Sequence, residues 1–375
     1  MLTATQSLDI VVIGAGQAGL AVGYYLKKTG LTFRLLDAAT RVGESWRERY
    51  DSLKLFTPAE YDNLPGLKFP APKGTYPTKD LVAGYLEAYA RQFSLPVQLR
   101  TKVTSLKREG GTFRLRTNRG SIQAAQVVVA TGPFQTPFTP AVSQQLDGGV
   151  VQLHSSAYRN ETQLPSGDVL VVGAGNSGLQ IAEELLASRP VTLAQGKPQP
   201  FLPQRVAGRS IFWWLERLRL SRVPATSWLG QQLKQRDPVI GTNTAELKRK
   251  GLRVTSRVVG ASGQTVTLAD GHTLKPSSII WATGFRPDYD WIHLPVTDAG
   301  GHPIHQQGTT SVDGLYFLGL SWQRTRGSAL LGWVGQDAAY IAERIARKSS
   351  PALFSSPLPG ADFARSGEVR IRGKR

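Results

Sequence analysis

The chain repeats one glycine-rich phrase, and this repeat constrains its fold more than any other feature. Residues 11–20 read VVIGAGQAGL, and residues 169–178 read VLVVGAGNSG. In both copies an apolar, β-branched run leads into GxGxxG, and apolar residues at helical spacing follow. This order predicts a strand, a tight turn and a helix, the unit that binds a dinucleotide pyrophosphate at the helix N-terminus.

The three glycines of each copy have separate roles in such a turn. The first allows the turn, the second lets the backbone approach the pyrophosphate, and the third lets the helix pack close to the strand. The predicted cofactor-binding glycines are therefore Gly14, Gly16 and Gly19 in the first copy, and Gly173, Gly175 and Gly178 in the second.

The residues after the second strand of each copy distinguish the two cofactors. The strand TFRLLD ends in Asp37, whose carboxylate suits the ribose hydroxyls of FAD. The corresponding stretch of the second copy, residues 191–215, contains no Asp or Glu. Its bases Lys197, Arg205 and Arg209 favour a 2′-phosphate and hence NADPH. NADH stays open as an alternative, because the residues directly after that strand are neutral.

The order of the other elements predicts one domain inserted into another. Residues 103–129 alternate like a β-meander, and the strand GLYFLGL and a last helix near the C-terminus need the first sheet to join. The fold class is therefore α/β, with two Rossmann-like dinucleotide-binding domains of the three-layer ββα type, the second inserted into the first. The expected ranges are 1–164 and 287–375 for the FAD-binding domain, the latter with the basic tail 365–375, and 165–286 for the NAD(P)H-binding domain.

A helix is predicted over residues 79–93, with Thr78 as its N-cap. Leu81, Tyr85, Tyr89 and Phe93 recur at intervals of four in this stretch. We expect this row of side chains to pack in the core.

Composition limits the chemistry that the chain can perform. With 41% apolar and 19% charged residues it is a typical globular composition, and no apolar window reaches the roughly 20 residues of a membrane span. The chain has no cysteine, which excludes a thiolate metal site or a redox disulfide and fits a reducing, cytoplasmic location. Its five histidines show no metal-ligand spacing, so no metal is expected. Redox chemistry must therefore come from bound cofactors.

The net charge of +18 is spread along the chain rather than gathered in a nucleic-acid motif. We therefore expect no nucleic-acid partner, and the expected partners are a small-molecule substrate and molecular oxygen. The oligomeric state stays open, with a homodimer among the alternatives. The aromatic and basic stretch 210–220 favours a lid or cleft wall over a membrane-surface helix.

With these motifs the sequence resembles the two-dinucleotide flavoproteins, and among them the bacterial flavin-containing monooxygenases and plant YUCCA-like enzymes. The resemblance covers nearly the whole chain, and it rests on both glycine motifs, Asp37, GESW at 43–46 and the ATG segments at 130–132 and 282–284. It implies that Val103 contacts the FAD adenine through its backbone and that Asn176 and Ser177 lie near the nicotinamide cofactor. The further cofactor-binding positions that it implies are Gly43, Trp46, Thr131, Gly132 and Thr283.

The resemblance also marks Phe56 and Asn176 as candidate active-site positions. Relatives usually carry an Asn beside the flavin where this chain has Phe56. A phenyl ring excludes water but donates no hydrogen bond, so we expect inefficient oxygen transfer with much hydrogen peroxide released. Of the family fingerprint FxGxxxHxxxY, only His154 and Tyr158 remain.

The expected function is an NADPH-using, FAD-dependent monooxygenase. Its reduced flavin would form a C4a-(hydro)peroxide that oxygenates small soft nucleophiles, such as sulfides and amines, or ketones. Two alternatives stay open: an NAD(P)H oxidase or flavin-linked reductase with little oxygen transfer, and a non-enzymatic binding protein that carries the cofactors.

Overall fold

The computed structural model of the protein describes residues 6–198, 200–235 and 238–349. The predicted basic tail 365–375 lies outside the described residues.

The strands are β1 (Gln6–Ile13), β2 (Phe33–Leu36), β3 (Val97–Gln98), β4 (Val103–Glu109), β5 (Thr112–Thr117), β6 (Gly120–Val129), β7 (Thr136–Pro137), β8 (Val151–His154), β9 (Val169–Val172), β10 (Val191–Ala194), β11 (Phe201–Leu202), β12 (Arg205–Val206), β13 (Arg209–Ser210), β14 (Val239–Ile240), β15 (Arg253–Thr255), β16 (Val258–Ser262), β17 (Thr265–Leu268), β18 (Thr273–Leu274), β19 (Ser278–Trp281), β20 (Phe285–Arg286) and β21 (Leu315–Phe317). The α-helices are α1 (Gln17–Leu26), α2 (Glu44–Arg47), α3 (Lys79–Gln92), α4 (Asn176–Leu185), α5 (Ile211–Arg217), α6 (Trp228–Gln235), α7 (Thr244–Arg249) and α8 (Val334–Ser349).

The first large sheet combines parallel strands with an antiparallel meander. Its order is β3-β2-β1-β6-β5-β4, and β21 pairs in parallel with β6. The strands β4, β5 and β6 pair antiparallel with their chain neighbours, so the predicted meander is confirmed. The late strand β21 also joins this sheet, as predicted from its need for a partner.

The second large sheet is parallel throughout, in the order β15-β10-β9-β19-β8. All its strands lie between β6 and β21 in the chain. Its edge strand β8 begins at Val151, before residue 165, where the nucleotide-binding domain was predicted to start. The chain therefore enters the second sheet earlier than the glycine motif indicates.

The central strand β1 is buried on both of its faces. Ile10 and Val12 pack on the side of α1, α3 and α8, whereas Val11 and Ile13 pack on the side of the meander. A strand that is covered on both faces reads as a continuous apolar run, which explains why the sequence has no polar residue from 10 to 13.

The helix predicted over residues 79–93 is confirmed as α3, and the Thr78 hydroxyl accepts a hydrogen bond from the Leu81 amide at 3.4 Å. The expectation that Leu81 packs in the core is wrong, because its side chain is 47% exposed. A row of residues at intervals of four turns by roughly 40° at each step, since a helix has 3.6 residues per turn. Tyr85 and Tyr89 are buried, and Leu81 at the start of the row has turned outward.

Two smaller features join the sheets. The strands β7 and β20 pair antiparallel; β20 directly follows the second ATG segment, and β7 follows the first ATG segment after three intervening residues. Residues 203–235 and 238, between β11 and β14, form an excursion that we call the cap, and the parallel pair β11–β14 closes its base. Among the described residues, no helix is both long enough and apolar enough to cross a membrane.

Candidate cofactor-binding site

The first glycine turn leaves open space at one of its three glycines. Gly14 has φ +104°, and a Cβ there would lie 2.5 Å from the Ala130 carbonyl oxygen. A Cβ on Gly19 would overlap the Gly14 carbonyl oxygen, whereas a Cβ on Gly16 would meet no atom within 4 Å. Packing within the protein therefore requires Gly14 and Gly19 but gives no reason for Gly16, which fits a position that a phosphate approaches.

The second glycine turn has the same arrangement. Gly173 has φ +113°, and a Cβ there would overlap the Ala282 carbonyl oxygen. A Cβ on Gly178 would overlap the Gly173 carbonyl oxygen, and Gly175 again faces open space. Each turn thus packs on the first residue of its own ATG segment, Ala130 or Ala282. This packing brings the remaining predicted positions of the ATG segments, Thr131, Gly132 and Thr283, next to the two turns.

Asp37 holds the first glycine turn against the end of β2. Its carboxylate accepts hydrogen bonds from the Ala15 amide at 2.6 Å and from the Ala39 amide at 2.8 Å. Each carboxylate oxygen can accept more than one hydrogen bond, so the half-buried group can still receive ribose hydroxyls. The Asp37 carbonyl accepts from the Thr101 amide at 2.7 Å, which places the start of β4 and Val103 on the same side of the turn.

Gly43 and Trp46 lie at the start of and within the short helix α2, which contacts both α3 and α1. Gly43 has φ +79° at the start of α2, and a Cβ there would lie 2.8 Å from the Ala83 carbonyl oxygen. The Trp46 indole donates a hydrogen bond to the Gln17 side chain at 3.2 Å. Because Gln17 is the first residue of α1, the sequence-predicted FAD positions converge on one end of the first sheet.

The N-terminus of α4 meets a loop from the first sheet. Asn176 accepts a hydrogen bond from the Ile240 amide at the base of the cap, at 3.1 Å, and Ser177 next to it is exposed. The Tyr50 hydroxyl donates to Gln180 at 2.9 Å, and burial raises the pKa of Tyr50 to about 12 although a hydrogen bond with Ser177 opposes this shift. The two predicted cofactor sites are therefore adjacent across this contact.

Phe56 belongs to an aromatic cluster that the sequence did not predict. Its ring stacks on Phe212 of the cap, with 6.1 Å between ring centroids, and Phe212 lies 5.6 Å from Trp333. Tyr61 stacks on Trp333 at 6.2 Å, and the Trp333 indole donates to Glu216 of α5 at 2.7 Å. The stretch 210–220 thus turns its Phe212 inward as part of a cleft wall.

The three bases expected near a 2′-phosphate are separated in the structure. Lys197 follows β10 by three residues and is exposed. Arg205 and Arg209 lie on the hairpin β12–β13 of the cap, where Arg205 donates to the Gly208 carbonyl at 2.8 Å and Arg209 lies 5.4 Å from the Trp213 ring centroid. Of the three, only Lys197 lies just after the second strand of its glycine-turn unit. In dinucleotide-binding sites, residues at this position contact the adenosine ribose.

His154 and Tyr158, the remnants of the family fingerprint, have structural partners. His154 bonds through Nε2 to the Gly284 carbonyl at 2.9 Å, and burial lowers its pKa. Tyr158 donates to Glu184 of α4 at 2.9 Å. His154 thus holds the backbone of the second ATG segment, and Tyr158 holds a side chain of α4, the helix that follows the second glycine turn, where the second cofactor site is predicted. Within residues 6–198, 200–235 and 238–349, no group of three or more His, Asp or Glu side chains is arranged to hold a metal ion.

Two buried acids carry no signal in the sequence. Asp62 is fully buried, its Oδ1 accepts from the Thr57 hydroxyl at 2.5 Å, and its Oδ2 has no partner among the described residues. Burial raises the pKa of Asp62 to about 7. Asp337 lies in the first turn of α8, 3.5 Å from Arg324, and burial raises its pKa to about 6.

Residues 11–202, which contain both glycine turns, match the family described as pyridine nucleotide-disulphide oxidoreductase. The chain belongs to this family, and it is an oxidoreductase that resembles flavin-containing monooxygenases. Because it has no cysteine, its own side chains cannot perform the disulphide chemistry in the family's name.

Three individual proteins illustrate the similarity. "Uncharacterized oxidoreductase CzcO-like" of Geobacillus kaustophilus is 49% identical over 341 residues, which cover 90% of this chain and 98% of that protein. The indole-3-pyruvate monooxygenase YUCCA4 of rice, Oryza sativa, is 29% identical over 394 residues, covering 90% of this chain and 87% of that protein. The structure of a flavin-containing monooxygenase from Stenotrophomonas maltophilia superposes with a TM-score of 0.78 at 27% identity, covering 92% of this chain and all of that chain.

Proposed function

We propose that this protein is an FAD-dependent monooxygenase that uses NADPH and transfers one oxygen atom to a small soft nucleophile, such as a sulfide or amine, or to a ketone. The observation that carries the proposal is the open space at Gly16 and Gly175, beside glycines that packing requires. Two such turns at adjacent sites suit two dinucleotides that exchange a hydride. The similarity to flavin-containing monooxygenases supports oxygen as the final electron acceptor.

In this proposal, two Rossmann-like domains hold the two cofactors. The first would bind FAD at its glycine turn, with Asp37 at the ribose and Trp46 and Val103 alongside. The second would bind NADPH at its glycine turn, with Asn176 and Ser177 at the start of α4 and Lys197 at the 2′-phosphate. Bound FAD would supply the redox chemistry, because it accepts a hydride from NADPH and passes electrons to dioxygen.

The aromatic cluster would form the apolar wall of the reaction site. Phe56 and Phe212 stack, and Trp333 is held by its hydrogen bond to Glu216. Such a wall excludes water and so protects reactive oxygen species from decay. It offers few hydrogen-bond donors, because a phenyl ring has none, the Trp333 N–H already donates to Glu216, and the Tyr61 hydroxyl is the one further donor of the cluster.

The test is to supply the purified, FAD-loaded protein with NADPH in air, with methyl phenyl sulfide or a cyclic ketone present. We expect NADPH consumption, an oxygenated product and a measurable fraction of hydrogen peroxide. Full recovery of the electrons as hydrogen peroxide with every substrate would favour the oxidase alternative. Protein that is isolated folded but binds neither cofactor would contradict the proposal.

A further inference from the structure

Arg49 is a half-buried cation without a hydrogen-bonded or ionic partner among the described residues. Its guanidinium lies 5.6 Å from the Phe134 ring centroid and 5.3 Å from the Phe285 ring centroid. The two rings lie 5.3 Å apart, so they and Arg49 form one compact group. Burial lowers the pKa of Arg49, and the nearby Arg159 lowers it further, whereas Tyr50 and Glu48 partly oppose this shift.

This group lies where the two predicted cofactor sites meet. Phe134 follows the first ATG segment, and Phe285 follows the second. The neighbouring Tyr50 contacts α4 through Gln180, close to the second glycine turn. Phe285 also packs edge-on against His154 at 5.1 Å. Arg49 is therefore close to elements of both sheets rather than part of one surface.

The neighbouring charged groups do not neutralise Arg49. Arg159 is a second cation, and its guanidinium donates to the Ser156 carbonyl at 2.8 Å. The carboxylate of Asp51 accepts from Asn160 at 2.7 Å and lies 3.5 Å from Lys79. Glu48 is exposed and forms no ion pair with Arg49. His154 is shifted toward its neutral form, because burial lowers its pKa.

A guanidinium in this setting is prepared to bind an oxyanion. It carries five N–H donors in one plane, and it pairs with carboxylate and phosphate groups through two parallel hydrogen bonds. Two aromatic rings restrict its position by cation–π attraction, so little conformational freedom is lost when a ligand binds. An arriving anion would also remove the cost of the uncompensated charge.

We propose that Arg49 anchors an oxyanion-binding subsite between the two cofactor sites, and that this subsite takes a carboxylate or phosphate group. The inference rests on the proposed function, since the oxyanion is either the carboxylate of an acidic substrate or a phosphate of the pyridine nucleotide. Phe134 and Phe285 hold the guanidinium, and its N–H groups receive the ligand.

The experiment titrates the FAD-loaded protein with inorganic pyrophosphate, NADP⁺, benzoate and uncharged benzamide, and follows the flavin absorbance and the melting temperature. Wild type, Arg49→Gln and Arg49→Lys are compared with Arg91→Gln, which removes one charge from an exposed site on α3. We expect Arg49→Gln to weaken binding of the recognised anion at least tenfold and Arg49→Lys to weaken it less. Arg91→Gln and all benzamide titrations should show no change.

The phosphate titrations and the benzoate titration together identify the source of the oxyanion. Weaker binding of pyrophosphate and NADP⁺ assigns the subsite to the cofactor, whereas weaker binding of benzoate alone assigns it to an acidic substrate. Unchanged binding of all three anions in Arg49→Gln overturns the proposal. The titrations need no turnover, so a protein that binds anions through Arg49 but oxygenates nothing would refute only the proposed function.

Arg49→Met separates this role from a purely structural one. Without added anion, this variant should melt no lower than wild type, because it removes a half-buried charge that has no ion-pair partner among the described residues. It should also lose the anion-dependent rise in melting temperature. A lower melting temperature together with an intact anion effect would show that Arg49 only packs the junction, and the proposal would fall.

Discussion

Gly16 and Gly175 are the motif glycines at which a side chain would meet no other protein atom. Packing within the protein therefore does not explain why these positions are glycine. Each is the N-cap residue of its helix and has an extended backbone with φ −75°, which any residue adopts. A substitution there therefore causes no backbone strain. We predict that Gly16→Val gives a folded but colourless protein, because the new methyl groups occupy the space expected for the pyrophosphate. Absorbance at 450 nm per mole of folded protein measures the bound flavin.

Gly175→Val is the matched control at the second site. It should keep FAD and lose affinity for NADP⁺, while Gly84→Ala, which also faces open space, should change neither. If Gly16→Val stayed yellow with full circular dichroism, the pyrophosphate would have to lie elsewhere.

Lys197→Ala should weaken NADPH binding and leave NADH binding nearly unchanged. A hydrogen bond to a charged group contributes about 1.5–3 kcal/mol, which corresponds to roughly a ten- to hundredfold loss of affinity. Isothermal titration of the FAD-loaded protein with NADP⁺ and NAD⁺ measures this difference, with Arg205→Ala on the cap hairpin as the comparison. Equal losses for both nucleotides in Lys197→Ala would show that this lysine does not read the 2′-phosphate.

Asp62 should make the stability depend on pH. Its pKa rises from 3.8 to about 7 on folding, so the folded protein binds the proton more tightly than the unfolded chain. The proton therefore stabilises the fold at low pH, and this contribution is lost as the pH rises from about 4 to about 7. At roughly 1.4 kcal/mol per pKa unit, the effect amounts to a few kcal/mol.

Asp62→Asn keeps the acceptor for Thr57 and removes the titration. We predict that this variant unfolds at a higher urea concentration than wild type at pH 8, and that the difference shrinks toward pH 5. Asp337 contributes in the same direction, so some pH dependence should remain. A variant that is less stable than wild type at pH 8 would contradict the assigned protonation.

At the scale of elements, the local sequence pattern is sufficient to predict a helix, strand or turn where residues close in the chain are also close in space. The glycine turns, the meander β4–β6 and the helix α3 follow from spacing within short windows. Leu81 was placed wrongly because a row at intervals of four leaves the buried face of a helix. The aromatic cluster was missed because Phe56, Phe212 and Trp333 are far apart in sequence, and no periodicity connects them.

Phe56→Asn tests this cluster as part of the reaction site. An amide at this position would add a hydrogen-bond donor, and one donor in a dry site contributes about 1–3 kcal/mol. We therefore predict a larger fraction of oxygenated product per NADPH, roughly tenfold or more in partitioning. The peroxide yield with methyl phenyl sulfide present measures it.

Phe56→Leu is the control for this experiment, because it removes the stack on Phe212 without adding a donor. If Phe56→Leu raised the product fraction as much as Phe56→Asn, cap packing rather than hydrogen bonding would set the partitioning. A wild type that is already tightly coupled would contradict the prediction.

At the scale of the whole molecule, the two sheets share connections that the glycine motifs alone do not locate. From the sequence, the nucleotide-binding domain is predicted to begin at residue 165, shortly before the strand that leads into the second glycine motif. In the structure, the preceding β8 pairs with β19, and Gln152 of β8 accepts a hydrogen bond from the Trp281 indole at 3.1 Å. The edge strand β8 carries no glycine motif, so the sequence does not assign it to the second sheet. Only its pairing with β19 in the folded structure shows that it belongs there. We propose that the inserted unit begins before Val151.

This proposal predicts different behaviour for two fragments of the chain. The fragment 135–287 keeps β8, the ribbon β7–β20 and the side chain of Val150, which packs with Trp281 in one apolar core. The fragment 165–287 loses them and exposes the edge of β19, an open template for aggregation. Each fully buried apolar side chain that is lost costs about 1.5–3 kcal/mol, a large share of a small domain's stability. We therefore expect 135–287 to be monomeric with a cooperative urea transition and 165–287 to aggregate or unfold, as measured by circular dichroism and size-exclusion chromatography. Two fragments of equal stability would place the start of the inserted unit at residue 165 after all.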